Sequence, residues 1–154
     1  MKLVRSTKAR RVFQLTHRET RLLVQMLALY PRVPPAHHVL SQSGRRPDRE
    51  ANQRLLDEAL AEQRAENKQQ VRALLEDPQR LAHTETGSRL SLSPAEVDWL
   101  MQVLNDVRVG SWVILGSPQA KLPELNETTA PDVVAMELAG HFQMQLLAAL
   151  RGER

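Results

Sequence analysis

Apolar positions recur at helical spacing in three stretches of the chain. Leu22, Leu23, Met26, Leu27 and Tyr30 fall at i, i+3, i+4 intervals, which predicts a helix with one buried face. Thr16-His17-Arg18-Glu19 just before them reads as a capping box, in which the hydroxyl accepts from a free backbone N–H and the carboxylate reaches back. Pro31 ends this helix, because proline disfavours helical backbone at the residue before it. A second stretch, from 94 to about 115, carries Val97, Leu100, Met101, Leu104 and Val107 on one stripe, broadened by Trp99, Val103, Val113 and Ile114. Ser93-Pro94-Ala95-Glu96 caps it, and its two apolar sides make it the expected central helix. Gly110-Ser111 inside it suggests a kink. The third stretch starts near Pro131 and runs to about Arg151, with Val134, Leu138, Phe142, Leu146 and Leu150 in line, flanked by Met136 and Leu147.

Between the first two lies a polar segment, Asp48 to Glu76, of helical character. Unbroken, it would span about 43 Å at 1.5 Å per residue. Its apolar residues form two clusters, Leu55, Leu56, Leu60 and Val71, Leu74, Leu75, and residues 61–70 hold no large apolar side chain. The pattern does not decide between one helix and two. Alternation with period two marks strands elsewhere. The first fifteen residues read as a short hairpin or a single strand around Arg11-Val12-Phe13-Gln14-Leu15. Residues 79–93 read as a hairpin with a turn at Glu85-Thr86-Gly87-Ser88. Residues 31–47 are broken by prolines, with a turn or two of helix at 36–40, and residues 117–130 read as a polar loop. The expected fold is therefore mainly α. It is one domain over residues 1–154, a bundle of four to five helices with a small antiparallel β element, namely an N-terminal strand plus a hairpin near 80–92.

Composition narrows the chemistry. The chain has 154 residues and no Cys, which excludes disulfides, thiolate metal sites and cysteine nucleophiles. No run of 18 apolar residues occurs and the start has no apolar leader, so no membrane span is expected and a cytoplasmic protein is the simplest reading. The net charge of +3 is unevenly spread: residues 1–50 sum to +8 and residues 51–154 to −5.

His17, His37, His38, His83 and His141 show no metal-ligand spacing, so no metal is expected. Asn105, Asp106 and Arg108 interrupt an apolar helix, and read as an internal polar group that fixes packing. No phosphate-binding glycine loop and no nucleophile motif is present, so neither catalytic residues nor a cofactor are expected. The basic half raises nucleic-acid binding. Arg45, Arg46 and Arg49 lead into a helix bearing Asn52, Gln53 and Arg54, residue types that contact phosphates and base edges. With the 80–92 hairpin as a wing carrying Arg80 and Arg89, the order of elements mimics a winged helix. Lys2, Arg5, Lys8, Arg10 and Arg11 would add phosphate contacts. The alternative is a solvated Arg-rich surface. The two apolar helices offer more face than one short helix can cover, which points to a homodimer with Trp112 and Phe142 as anchors. The alternative there is that both aromatics pack inside the bundle.

Trp99-Leu100, Leu104-Asn105-Asp106-Val107-Arg108-Val109 and Leu115-Gly116 resemble the signature of a bacterial family of unknown function. It is number two thousand and seventeen among the domains of unknown function, and its members are often encoded beside the adaptor of the Clp protease. Leu138, Phe142, Gln143, Leu146 and Leu150 are similar to that family's closing helix. Phe13, Leu15, Glu19, Leu22 and Leu23 fit its opening strand and helix. The resemblance implies a helical domain with no established reaction, and without Cys no thiol switch carries over from redox-responsive relatives. The expected function is a non-enzymatic regulatory or protein-interaction protein, homodimeric. The alternative is a winged-helix-like DNA-binding regulator that uses the 45–54 segment.

Overall fold

The computed structural model describes residues 1–34 and 46–151. The order is β1 (Lys2–Ser6), β2 (Arg11–Thr16), α1 (His17–Ala28), α2 (Arg46–Glu76), β3 (Leu81–Thr84), β4 (Gly87–Leu92), α3 (Pro94–Ile114) and α4 (Ala130–Leu150). The four strands form one antiparallel sheet in the order β1-β2-β4-β3. Phe13, Leu15, Leu81, Leu90 and Leu92 are buried on its inner face, where the helices lie. The expectation of a mainly α bundle with a minor β element is therefore corrected. Among the described residues the chain is mixed α/β, with four helices layered on a four-stranded sheet. The reason is the long-range pairing of β2 with β4, which runs from Arg11↔Leu92 to Thr16↔Gly87 and fuses two hairpins into one sheet. The junction is tight: a side chain on Gly87 would run into the Leu15 carbonyl, and Gly87 holds a φ of 153°.

Both capping boxes form. Thr16 Oγ1 accepts from the Glu19 N–H and Glu19 accepts from the Thr16 N–H; Ser93 and Glu96 repeat the pattern on α3. Each glutamate also has a cationic partner. Glu19 accepts from the amino group of Met1, and Glu96 accepts from Arg80 at 2.9 Å. Burial pushes both carboxyls up, but for Glu96 the Ser93 N–H, Arg80 and the Ser93 hydroxyl together outweigh it. For Glu19 the Met1 amino group and the Thr16 N–H do the same, so both acids sit below their ordinary value.

Residues Arg46–Glu76 form one helix of 31 residues, settling the one-or-two question. Only its C-terminal part joins the core, through Val71 and Leu74. Helix α3 runs through Gly110 without a break. Val97, Leu100, Leu104, Val107 and Ser111 are buried along it at alternating spacings of three and four. On α4 the matching seam is Ala135, Ala139, Phe142, Leu146 and Ala149. These are heptad seams, and the two helices run antiparallel, since Gln143 reaches the Met101 carbonyl while Met136 sits beside Trp112. The line expected on α4 is thus rotated: Val134 is half exposed and alanines take the inner face. Small residues win there because they let the two backbones approach. By length and composition α4 is also apolar enough to cross a membrane, the one such helix among the described residues. Its inner seam is occupied by α3.

The segment Tyr30–Val33 is a junction for three helices. Asp106 on α3 accepts from the N–H groups of Arg32 (2.6 Å) and Val33 (3.2 Å). One turn later Gly110 lies against the same backbone, where a Cβ would sit 2.5 Å from the Arg32 carbonyl carbon. The glycine read from sequence as a kink is a seat. Arg64 on α2 donates to the Val33 carbonyl at 2.7 Å, and Arg32 pairs with Asp132 at the start of α4. Asn67 donates to the Tyr30 hydroxyl and accepts from the Trp99 indole, each at 3.0 Å. These contacts tie the segment to α2, α3 and α4, although Arg32 Nε stays buried without a hydrogen-bond partner.

Candidate functional site

Helices α3 and α4 bury one seam each, and their outward sides leave a groove between them. It has a volume of about 630 Å³. Met101 and Arg108 line it from α3, and Met136, Glu137, Gly140, His141, Gln143, Met144 and Leu147 from α4. A smaller cavity of about 270 Å³, lined by Arg108, Val109, Trp112 and Met136, continues it. The walls are soft and apolar, and three methionines give them an adaptable shape. Exposure is high for a helix face: Met144 is 73% accessible, Val134 50% and Leu147 39%. A helix that is apolar all round is normally covered all round.

Two charges mark the groove, Arg108 and Glu137, of opposite sign. They do not pair with each other; Arg108 donates to Asn105 Oδ1 at 2.9 Å. Gln143 donates to the Met101 carbonyl at 3.1 Å and lies 3.4 Å from Asn105 Oδ1, fixing the groove floor across the helix pair. His141 meets Phe142 edge to face.

The polar group read from sequence is split by the helix turn. Asp106 faces inward to the Tyr30–Val33 junction, whereas Asn105 and Arg108 are exposed on the groove side. Of the two expected aromatic anchors, Phe142 is buried at 1% exposure and belongs to the core. Trp112 is half-buried, and its indole N–H donates to the Pro118 carbonyl. Met101, which the sequence places on the buried stripe of α3, lines the groove instead, and sequence reasoning passed over Met144, whose spacing from Met136 and Leu147 would have shown it.

The residues expected to touch nucleic acid are dispersed. Arg45 lies outside the described residues, as do His37 and His38. Arg46 opens α2, followed by Arg49, Asn52, Gln53 and Arg54. Gln53 donates to Asp57 at 2.9 Å. Asp48 and Glu50 interleave with these cations, and α2 as a whole carries six cationic and seven anionic residues. Arg89 is exposed on β4 opposite Ala82, just beyond the C-terminal end of α2. From Gln53 to Glu76 the helix spans about 34 Å, so the structure does not bring Arg89 to the described part of that segment, residues 46–54. Among the described residues no three His, Asp or Glu side chains cluster as metal ligands. No protein-family model, curated protein or solved structure matches this chain.

Proposed function

We propose that this chain is a non-enzymatic regulatory protein of the cytoplasm that acts through protein–protein contact and forms a homodimer across the α3–α4 groove. The observation that supports this reading is an exposed, methionine-rich apolar face whose two charges are of opposite sign and unpaired with each other. A two-fold interface places residue i against j and j against i. Such a pairing sets Arg108 of one copy against Glu137 of the other and buries Met144 and Leu147 at the centre. The outer face of α4 is then covered without a membrane. The resemblance to the family often encoded beside the Clp protease adaptor fits a regulatory role of this kind.

A charge-swap series tests the reading. Arg108→Glu and Glu137→Arg each juxtapose like charges across the two-fold and should raise the dimer dissociation constant about tenfold or more. The double variant should restore it. Dimerisation untouched by either single swap would refute the interface.

A further inference from the structure

The sheet has a second face, and among the described residues no helix packs on it. Side chains alternate along a strand, so Val12, Gln14, Arg89, Ser91, Ala82 and Lys2 point away from the core that buries Phe13, Leu90 and Leu92. Lys2, Gln14 and Arg89 stand in one cross-strand row, through the pairs Lys2↔Gln14 and Gln14↔Arg89. Arg5, opposite Val12, adds a cation on the same face after the irregularity between Leu3 and Arg5. With strands about 4.8 Å apart, Lys2 and Arg89 are about 10 Å from each other at the backbone.

The four strands contain no Asp or Glu. Among the described residues, Lys2, Arg5, Lys8 and Arg89 have neither an ion pair nor a side-chain hydrogen bond, and Lys2, Arg5 and Arg89 are exposed. Of the carboxylates flanking the sheet, Glu19 is engaged by Met1 and Thr16, Glu96 by Arg80 and Ser93, and Asp77 by Arg80, while Glu85 lies outside the strands in the β3–β4 turn. Arg11 is turned to the other side, where it donates to the Ala149 and Thr7 carbonyls. The excess of positive charge in the first third of the sequence is therefore placed in large part on this sheet and its first hairpin. On α2, by contrast, anions interleave with the cations.

We propose that the open face of the sheet binds the phosphate backbone of duplex DNA, independently of sequence, through Lys2, Arg5 and Arg89. A set of exposed cations on strands that themselves hold no carboxylate is complementary to a polyanion. The duplex carries one charge per about 1.7 Å of axis, twice the density of a single strand. The face has no aromatic side chain on which unpaired bases would stack, which favours the duplex. Side chains of this kind make contacts that position a protein on DNA without reading its bases. The site is separate from the α3–α4 groove and does not depend on it.

Fluorescence anisotropy with a short DNA duplex of arbitrary sequence tests this on the full chain. Three phosphate contacts give a log–log salt slope of about −2.7, a loss of affinity of about fortyfold between about 50 mM and about 200 mM salt. The variant Lys2→Gln/Arg5→Gln/Arg89→Gln should abolish that slope and lower affinity at least tenfold, while circular dichroism stays unchanged. Should the triple variant fold poorly, Arg89→Gln alone should reduce the slope by about 0.9, and Arg89→Lys should restore it. Arg49→Gln/Arg54→Gln on α2 should leave binding intact. The proposal is overturned if no binding occurs at low salt, or if the α2 variant rather than the sheet variants loses it. Tighter binding to a single strand, or to phosphatidylserine vesicles, would overturn it as well.

Discussion

Among the described residues, the outer face of the sheet and the outer face of the α3–α4 pair both lie uncovered, yet they differ in nearly every physical respect. One is flat, polar and cationic, with Lys2, Arg5 and Arg89 unpaired. The other is grooved and apolar, with one cation and one anion. A solvated strand face needs no cover, because Gln14, Ser91 and Thr84 satisfy water. An apolar helix face does need one, since large exposed apolar patches on soluble chains mark contact sites. The comparison teaches that the charge asymmetry along the chain is a division in space: the basic end gathers exposed cations on the sheet, and the acidic remainder leaves an apolar helix face, and the two proposals rest on these two surfaces.

The sharpest way to break this division is to remove the core that both faces share. Phe142→Ala empties a fully buried site on the α4 seam and should cost about 3–5 kcal/mol, read from the midpoint of denaturant unfolding. Had Phe142 been an interface anchor, the loss would appear in dimerisation and not in the stability of the monomer. Gly110→Ala forces a methyl group against the Arg32 backbone and should cost about 1–3 kcal/mol in the same assay. Asp106→Ala strands two N–H groups at the same junction, with a loss of similar size, about 1–3 kcal/mol.

Acid should act on the sheet side first. Glu19 and Glu96 sit below their ordinary value of 4.5, so their contribution is present above that pH in the folded chain. It is lost as pH falls from there through their depressed folded values, because the unfolded chain then binds more protons. Arg80→Gln removes a cation that holds Glu96 down and should lessen this acid sensitivity in a pH series of thermal melts. The smallest effect on stability belongs to the groove. Met144→Ser changes a residue 73% accessible and should shift monomer stability by no more than about 0.5 kcal/mol.

Local chemistry was legible in the sequence, and long-range pairing was not. Thr16 with Glu19 and Ser93 with Glu96 announce two helix starts, because a capping box is complete within four residues. Leu90 and Leu92 announce a strand in the same way. Nothing local says that β4 will pair with β2 across more than seventy residues, and that pairing turns two small hairpins into a sheet and changes the fold class. The α4 face was misread for a physical reason. Leu138 and Val134 outweigh Ala135 and Ala139 in any hydrophobic pattern, but a close helix–helix seam selects the small residues. The Asn105-Asp106-x-Arg108 group could be seen as polar in an apolar helix. Its partners, the backbone N–H groups of Arg32 and Val33, carry no side-chain signature. The basic residues were visible, but their gathering on one sheet face depends on strand register, since Lys2 and Arg89 meet only through Gln14.

Sedimentation equilibrium on the wild-type chain and on Met144→Glu/Leu147→Glu tests the interaction face most directly. The wild type should show a concentration-dependent mass that rises to twice 17.5 kDa. The double variant, which puts two carboxylates into an apolar groove, should stay at 17.5 kDa with an unchanged thermal melt. A wild type that is monomeric at every concentration would contradict the account, as would a variant that still dimerises.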